Sequence, residues 1–203
     1  MFCVTIKGET PLIMHSGEAG LDTRSPANLE KAEIARKKGS NRTEADEARL
    51  RELECQSSLW LDENDQPTIP HGAIRRMIEN GARKSKQGGD VREGLVVAAV
   101  KFDYDRKTLG KTLEELSRKA QFTVPVVVQR SRLLRTRAKF DQWSAEFVLD
   151  TDDELIDKPK LEKFLDVGGR RVGLGDWRPE KSGHYGRFTI ENIEEVKEKP
   201  DWA

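Results

Sequence analysis

The strongest constraint on the fold is the position of two strand-like segments at opposite ends of the chain, Phe2 to Lys7 and Arg187 to Ile193. Strands leave rows of N–H and C=O groups to be paired, so distant strands separated by helical segments are expected to return to a shared sheet. Between them the pattern reads as a helical insertion, a helix, strands and another helix. That order fits an α+β fold of ferredoxin-like (RRM-like) type, an antiparallel sheet with one strand-helix-strand unit at each end of the chain. The whole span 1–203 reads as a single domain.

Local signals place the elements. Ser25 can cap a helix, Pro26 suits its first position and Gly39 can end it. Thr43 to Asp46 resembles a capping box opening a second helix, in which Leu50 and Leu53 give only a thin apolar stripe. This pair, 26–55, reads as a peripheral helical insertion. Thr68-Ile69-Pro70 leads into a third helix with Ile74, Met77, Ile78 and Ala82 at helical spacing, and Gly88-Gly89 reads as a break. Leu95 to Tyr104 has strand composition without clean alternation. Leu109 to Ala120 suggests a short helix. Phe122 to Phe140 is rich in β-branched residues and arginine, and Trp143 to Leu149 is expected to pair back against it as a thumb-like β-hairpin over 122–150. Asp157 to Val167 reads as a helix, followed by a glycine-rich loop from Gly168 to Gly186.

Composition then limits the function. Hydrophobic and charged residues each make up 35% of the 203 residues, and the mean hydropathy is −0.73, which implies a thin, sheet-based core. No segment approaches the roughly 18 apolar residues needed to span a bilayer, so no membrane partner is expected. The opening Met1 to Lys7 has neither a basic nor a long apolar leader region. Cys3 and Cys55 lie far apart, outside any metal-ligand spacing and without a disulfide framework. A reducing cytoplasm is the expected setting, and neither cofactor nor metal site is read.

The 36 basic and 36 acidic residues cancel, which on its face argues against nucleic acid. Distribution matters more than the sum. Arg130, Arg132, Arg135, Arg137 and Lys139 fall in a run without an acid, while acids concentrate in Glu146 to Asp157 and Glu191 to Asp201. A neutral chain can still carry a face of one sign. In a strand, Arg135, Arg137 and Lys139 share one side at period two, a ladder matched to a phosphate backbone. The plainer alternative is a strand guarded by charge against edge pairing.

Three segments carry the functional case. The first is Thr10-Pro11-Leu12-Ile13-Met14-His15-Ser16-Gly17-Glu18. The second runs from Gln66-Pro67-Thr68-Ile69-Pro70 through His71-Gly72-Ala73 to Arg75-Arg76. The third is Gly168-Gly169-Arg170-Arg171-Val172-Gly173-Leu174-Gly175, continuing through Asp176-Trp177-Arg178 to Gly183-His184-Tyr185-Gly186-Arg187. In the third, glycines such as Gly173 and Gly175 allow positive φ and close approach to a ligand, arginines add charge-assisted contacts, and Trp177 and Tyr185 offer stacking faces. Taken alone, it reads first as a long hairpin turn whose glycines serve geometry alone.

Together, and in this order, the segments resemble the RAMP superfamily, which includes the RNA-coating backbone subunits and repeat-processing nucleases of CRISPR systems. The resemblance implies that Arg75 and Arg76, with Arg83 and Lys84 beyond them, grip a strand that also meets Arg170, Arg171, Arg178, His184, Tyr185 and Arg187. It assigns Arg130 to Lys139, followed by Trp143, to a thumb that wedges bases. It also implies a homo-oligomer built side by side, with CRISPR-type subunits as candidate partners, and leaves a stand-alone phage or mobile-element relative equally open.

Catalysis is open at this level. Some relatives cut RNA with an aspartate between the first strand and the proline-entered helix, where this chain has Asp22, and a metal would be needed there. His15, His71 and His184 each fall inside one of the segments and invite an acid–base reading. The plainer reading has them donating hydrogen bonds or stacking. The leading expectation is sequence-tolerant binding of RNA or single-stranded DNA without catalysis. An endoribonuclease and an interaction protein mimicking a CRISPR subunit are the alternatives.

Overall fold

Apolar side chains alternate along the first strand, with Phe2, Val4 and Ile6 buried and the residues between them partly exposed, so one face of it is committed to a core from the start. In the computed structural model, residues 1–17, 24–37, 41–128 and 131–203 are described, without the side chains of 126–128, 131 and 132. The elements run β1 (Phe2–Gly8), β2 (Leu12–Met14), α1 (Pro26–Arg36), α2 (Glu44–Ser58), α3 (His71–Arg83), α4 (Gly88–Gly94), β3 (Leu95–Tyr104) and α5 (Arg106–Leu109). They continue with α6 (Leu113–Lys119), β4 (Gln121–Val128), β5 (Ser131–Phe140), β6 (Trp143–Thr151), α7 (Lys158–Val167) and β7 (Phe188–Glu195). A π-helical turn, Gly168–Val172, extends α7, and a short 3₁₀ turn covers Pro179–Lys181. The fold is α+β with two antiparallel sheets.

The chain divides into two compact units. The larger is built from Met1–Ile13, Pro67–Asp105 and Phe140–Ala203, the smaller from Met14–Gln66 and Arg106–Lys139. The larger unit holds a four-stranded sheet in the order β3-β6-β1-β7, every neighbour antiparallel. Helix α3 buries Ile74, Met77, Ile78, Gly81 and Ala82, and α7 buries Leu161, Phe164 and Leu165. At Gly81 a Cβ would meet the carbonyl oxygen of Phe164, so the missing side chain lets α3 and α7 approach closely. Phe102, Tyr104, Phe140, Trp143 and Phe188 form an aromatic cluster with edge and tilted contacts between 5.1 and 6.4 Å.

Two local expectations change here. The expected return of Trp143 to Leu149 onto the preceding basic strand does not occur. Strand β6 instead lies between β1 and β3, with Val4 opposite Phe147 and Val100 opposite Phe147 on the other side. Its inward residues are apolar enough to sit at the centre of a sheet, and a hairpin edge would leave them exposed. Gly88-Gly89 is also not a break, since both residues lie in α4, with Gly88 buried against Arg83. The uneven alternation of β3 has a structural cause: its register shifts between Val97 and Ala99, a bulge that resets which face each side chain takes.

The smaller unit holds strands β4 and β5. Strands β4 and β5 pair from Gln121 opposite Ala138 to Val128 opposite Ser131. The helical pair contributes to this unit's core. Helix α2 buries Leu53, Cys55 and Ser58, and the Ser58 hydroxyl accepts the Ala138 N–H at 2.7 Å, tying helix to strand. Caps fix both helices: the Ser25 hydroxyl accepts from the Asn28 N–H, and Thr43 and Asp46 form a reciprocal capping box. Helix α1 ends at Arg36, with Lys37 extended; Gly39 lies outside the described residues. Among the described residues no helix is long and apolar enough to cross a membrane.

Candidate nucleic-acid interface

In the larger unit the glycine-rich loop bonds to the first of the other segments singled out in the sequence and to α3, the helix that the second one opens. The Gly186 N–H donates to the Pro11 carbonyl and the Asp176 N–H to the Ile13 carbonyl, each at 2.8 Å. The Arg187 N–H donates to the Thr10 hydroxyl at 2.9 Å. On the other side the Asn80 amide of α3 donates to the Glu180 carboxylate at 2.7 Å, while Gly168 packs against Met77. Parts of the chain more than a hundred positions apart are thereby fixed around one loop.

The α3 residues follow from helical periodicity. Ile74, Met77, Ile78 and Gly81 face the core, which turns Arg76, Asn80 and Lys84 outward as a single stripe at i, i+4 and i+8. Asn80, in the middle of that stripe, is the residue bonded to the loop, so the stripe runs alongside the 3₁₀ turn that carries Glu180 and Lys181. Arg76, Lys84 and Arg171 are exposed, with no partner among the described residues. Arg75 donates to the Arg92 carbonyl at 2.7 Å, and Arg83 pairs with Glu79 at 2.6 Å. Glu79 also takes Arg92 at 3.2 Å, so one half-buried carboxylate serves two guanidinium groups and the surface keeps a cationic excess.

Within the loop, Arg170 pairs with Asp166 at 2.8 Å, Arg178 with Glu180 at 2.9 Å, and Arg187 approaches Glu9 at 3.8 Å. Trp177 and Tyr185 lie 6.2 Å apart at an interplanar angle of 37°, both half-exposed, beside the exposed His184. Trp177 holds φ at 48°, a conformation a bulky residue adopts only when its surroundings impose it. The Tyr185 N–H donates to the Trp177 carbonyl at 3.1 Å, and the Trp177 N–H to the Asp176 carboxylate at 3.0 Å, which keeps the pair in place.

Gly173 and Gly175 serve the loop's own geometry. Both have positive φ, and a Cβ would meet Pro179 and Arg178 at the first, and the Ile13 carbonyl at the second. Their backbones approach the protein itself, which replaces the expected approach to a ligand.

Trp143 requires a clear correction. It is 4% exposed, its ring lies against Gly8, and its indole N–H donates to the Thr10 carbonyl at 2.9 Å. It is a core residue and presents no stacking face.

The basic run in β5 is also redirected. Arg135 and Arg137 do share a face, but both are half-buried and line a cavity with residues of α1 and α2. Arg135 pairs with Glu54 at 2.9 Å. Lys139 stands over the Phe122 ring at 5.0 Å. The period of two was readable; that the helical pair supplies a partner for that face was not. Arg132 lies in β5 with its side chain undescribed, and Arg130 and Asp22 fall outside the described residues.

Of the histidines, His15 lines the smaller unit's cavity, His71 opens α3 and His184 sits in the loop, all three exposed. Among the described residues no three His, Cys, Asp or Glu side chains converge as a metal site would require. Cys3 and Cys55 are free thiols. Burial pushes the Cys55 thiol up to about 12 and Cys3, beside Glu146, to about 11, which keeps both protonated and unreactive at neutral pH.

Sequence reasoning missed Asn80 and Glu180, the pair that joins helix and loop. The spacing of Asn80 from Arg76 was a visible signal, whereas Glu180 resembles any solvated acid. A comparison with family models finds no match to the chain, and a comparison with curated proteins finds none either.

Proposed function

We propose that this chain binds single-stranded nucleic acid, RNA or DNA, with little sequence preference, and that α3 and the glycine-rich loop of the larger unit form the contact surface. The observation that carries the reading is the coupling of the Arg76–Asn80–Lys84 stripe to the loop through Glu180. Unpaired cations along a helix suit a phosphate backbone, and a half-exposed Trp–Tyr pair suits base stacking, a combination that tolerates any sequence. The ferredoxin-like reading is supported by the β-α-β-β-α-β order of β1, α3, β3, β6, α7 and β7, and by the sheet order β3-β6-β1-β7. The resemblance to the RAMP superfamily points the same way, because the residues that carry it feed this loop and helix. On that reading copies assemble side by side along a strand.

The test is fluorescence anisotropy with labelled uridine and thymidine oligomers across a salt series. Binding is expected to weaken as salt rises, with a slope of about 0.7 per phosphate neutralised. The double variant Arg76→Glu, Lys84→Glu is expected to bind at least tenfold more weakly and with a shallower slope, while melting at an unchanged temperature. Absence of salt-sensitive binding by the wild-type chain, or full binding by the folded double variant, overturns the reading.

A further inference from the structure

The smaller unit contains a cavity of about 530 Å³ that the surface above does not use. Its described lining carries Lys31 from α1, Arg42, and Arg135 and Arg137 from β5, against one carboxylate, Glu54. That carboxylate is fully engaged. One oxygen accepts from Arg135 at 2.9 Å and the other from the Thr136 N–H at 2.8 Å. Arg42 is held by Glu47, which is not part of the lining, at 2.6 Å.

Lys31 is different. Its ammonium bonds the neutral Ser57 hydroxyl at 2.7 Å and has no carboxylate in ion-pair range among the described residues. Burial pushes its pKa down; Glu54 pulls it back up, and the nearby Arg135 guanidinium pushes it down again. A half-buried ammonium beside a guanidinium is costly until an anion joins them.

We propose that this cavity binds a phosphomonoester, with Lys31 and Arg135 gripping the phosphate from opposite elements. A carboxylate is satisfied by one guanidinium, as Glu54 is by Arg135. A tetrahedral group of nearly two negative charges accepts donors from several directions, which suits cations contributed by both a helix and a strand. The Asn28 and Ser57 side chains also line the cavity, the Ser57 hydroxyl donating to the Leu53 carbonyl at 2.7 Å while it accepts from Lys31. The volume falls within the range of pockets that enclose a small organic ligand, about 300–1,000 Å³, so a sugar or nucleoside can accompany the phosphate. The phosphate comes either from a free mononucleotide or from the phosphorylated end of a strand. This site lies within the smaller unit and does not rest on the proposed interface.

The experiment uses the full chain in phosphate-free buffer, with inorganic phosphate, adenosine monophosphate and sodium chloride titrated separately. Thermal shift and calorimetry are read together. Phosphate and the nucleotide are expected to raise the melting temperature saturably, beyond chloride at equal ionic strength. Lys31→Met is expected to melt no lower than wild type without ligand, since it removes an uncompensated charge, and to bind at least tenfold more weakly. A short pentanucleotide with a 5′-phosphate or a 5′-hydroxyl, tested in the Arg76→Glu, Lys84→Glu background, separates the sources. Preference for the phosphorylated end over the mononucleotide assigns the site to strand ends; the reverse order assigns it to free nucleotides. No saturable shift with any phosphate compound, or an equal shift in folded Lys31→Met, overturns the proposal.

Discussion

Trp143 joins two roles that its position in the sequence does not separate. Its ring completes the aromatic cluster, and its N–H closes the turn after β1 by bonding the Thr10 carbonyl. Trp143→Ala is therefore expected to destabilise the larger unit by ~3–5 kcal/mol, as truncation of a buried aromatic does. Urea unfolding followed by far-UV dichroism reads this directly. A change of only ~0.5 kcal/mol, typical of surface substitutions, would show that the ring is not part of the core. Gly175 supports the same turn from the loop side. With φ at +78° and the Ile13 carbonyl in the space of a Cβ, Gly175→Ala is expected to cost ~1–3 kcal/mol and to loosen the loop. Exchange of the Asp176 amide, which bonds that carbonyl, should accelerate in the variant.

Helix α2 begins with a cap that responds to acid. Hydrogen bonds from Lys37 and from the Thr43 backbone hold the Asp46 carboxyl down at about 2. A carboxyl lowered by folding adds stability above its ordinary value near 4, and that stability is lost as pH falls toward 2. Amide exchange in the first turn of α2 is expected to speed up across that window, and Asp46→Asn should exchange fast throughout. Glu115, held at about 2 by the Lys111 and Thr112 N–H groups, caps α6 the same way and should loosen over the same range. These caps were legible in the sequence because capping is chemistry among residues three apart. The bulge in β3 was visible only as broken alternation. The partners of β6 were illegible, since Phe2 and Leu149 meet across most of the chain. At the candidate interface the arginines were legible by type. The face that each of Arg135 and Arg137 takes depends on a helix that no local pattern ties to β5.

Across the whole molecule, the chain leaves the larger unit and returns to it twice, so neither unit is a continuous stretch. A fragment of residues 1–139 is expected to show no cooperative unfolding of the larger unit, because β6, α7 and β7 are missing from it; a sharp melt with native-like near-UV signal would contradict this. Assembly is read at the same scale. Size-exclusion with light scattering, monitored at 260 and 280 nm, is expected to give a species larger than one chain when single strands are present, whereas a monomer at saturating strand would remove the side-by-side arrangement. The central position of β1 also bears on synthesis. Both its hydrogen-bonding neighbours, β6 and β7, are translated after residue 142, so the first strand leaves the ribosome with its backbone groups unpaired on both sides. At about 5–20 residues per second it waits many seconds for its partners. During that interval the newborn chain exposes Phe2, Val4 and Ile6 to any other unpaired strand nearby, so wrong pairing of β1 is a hazard of synthesis itself.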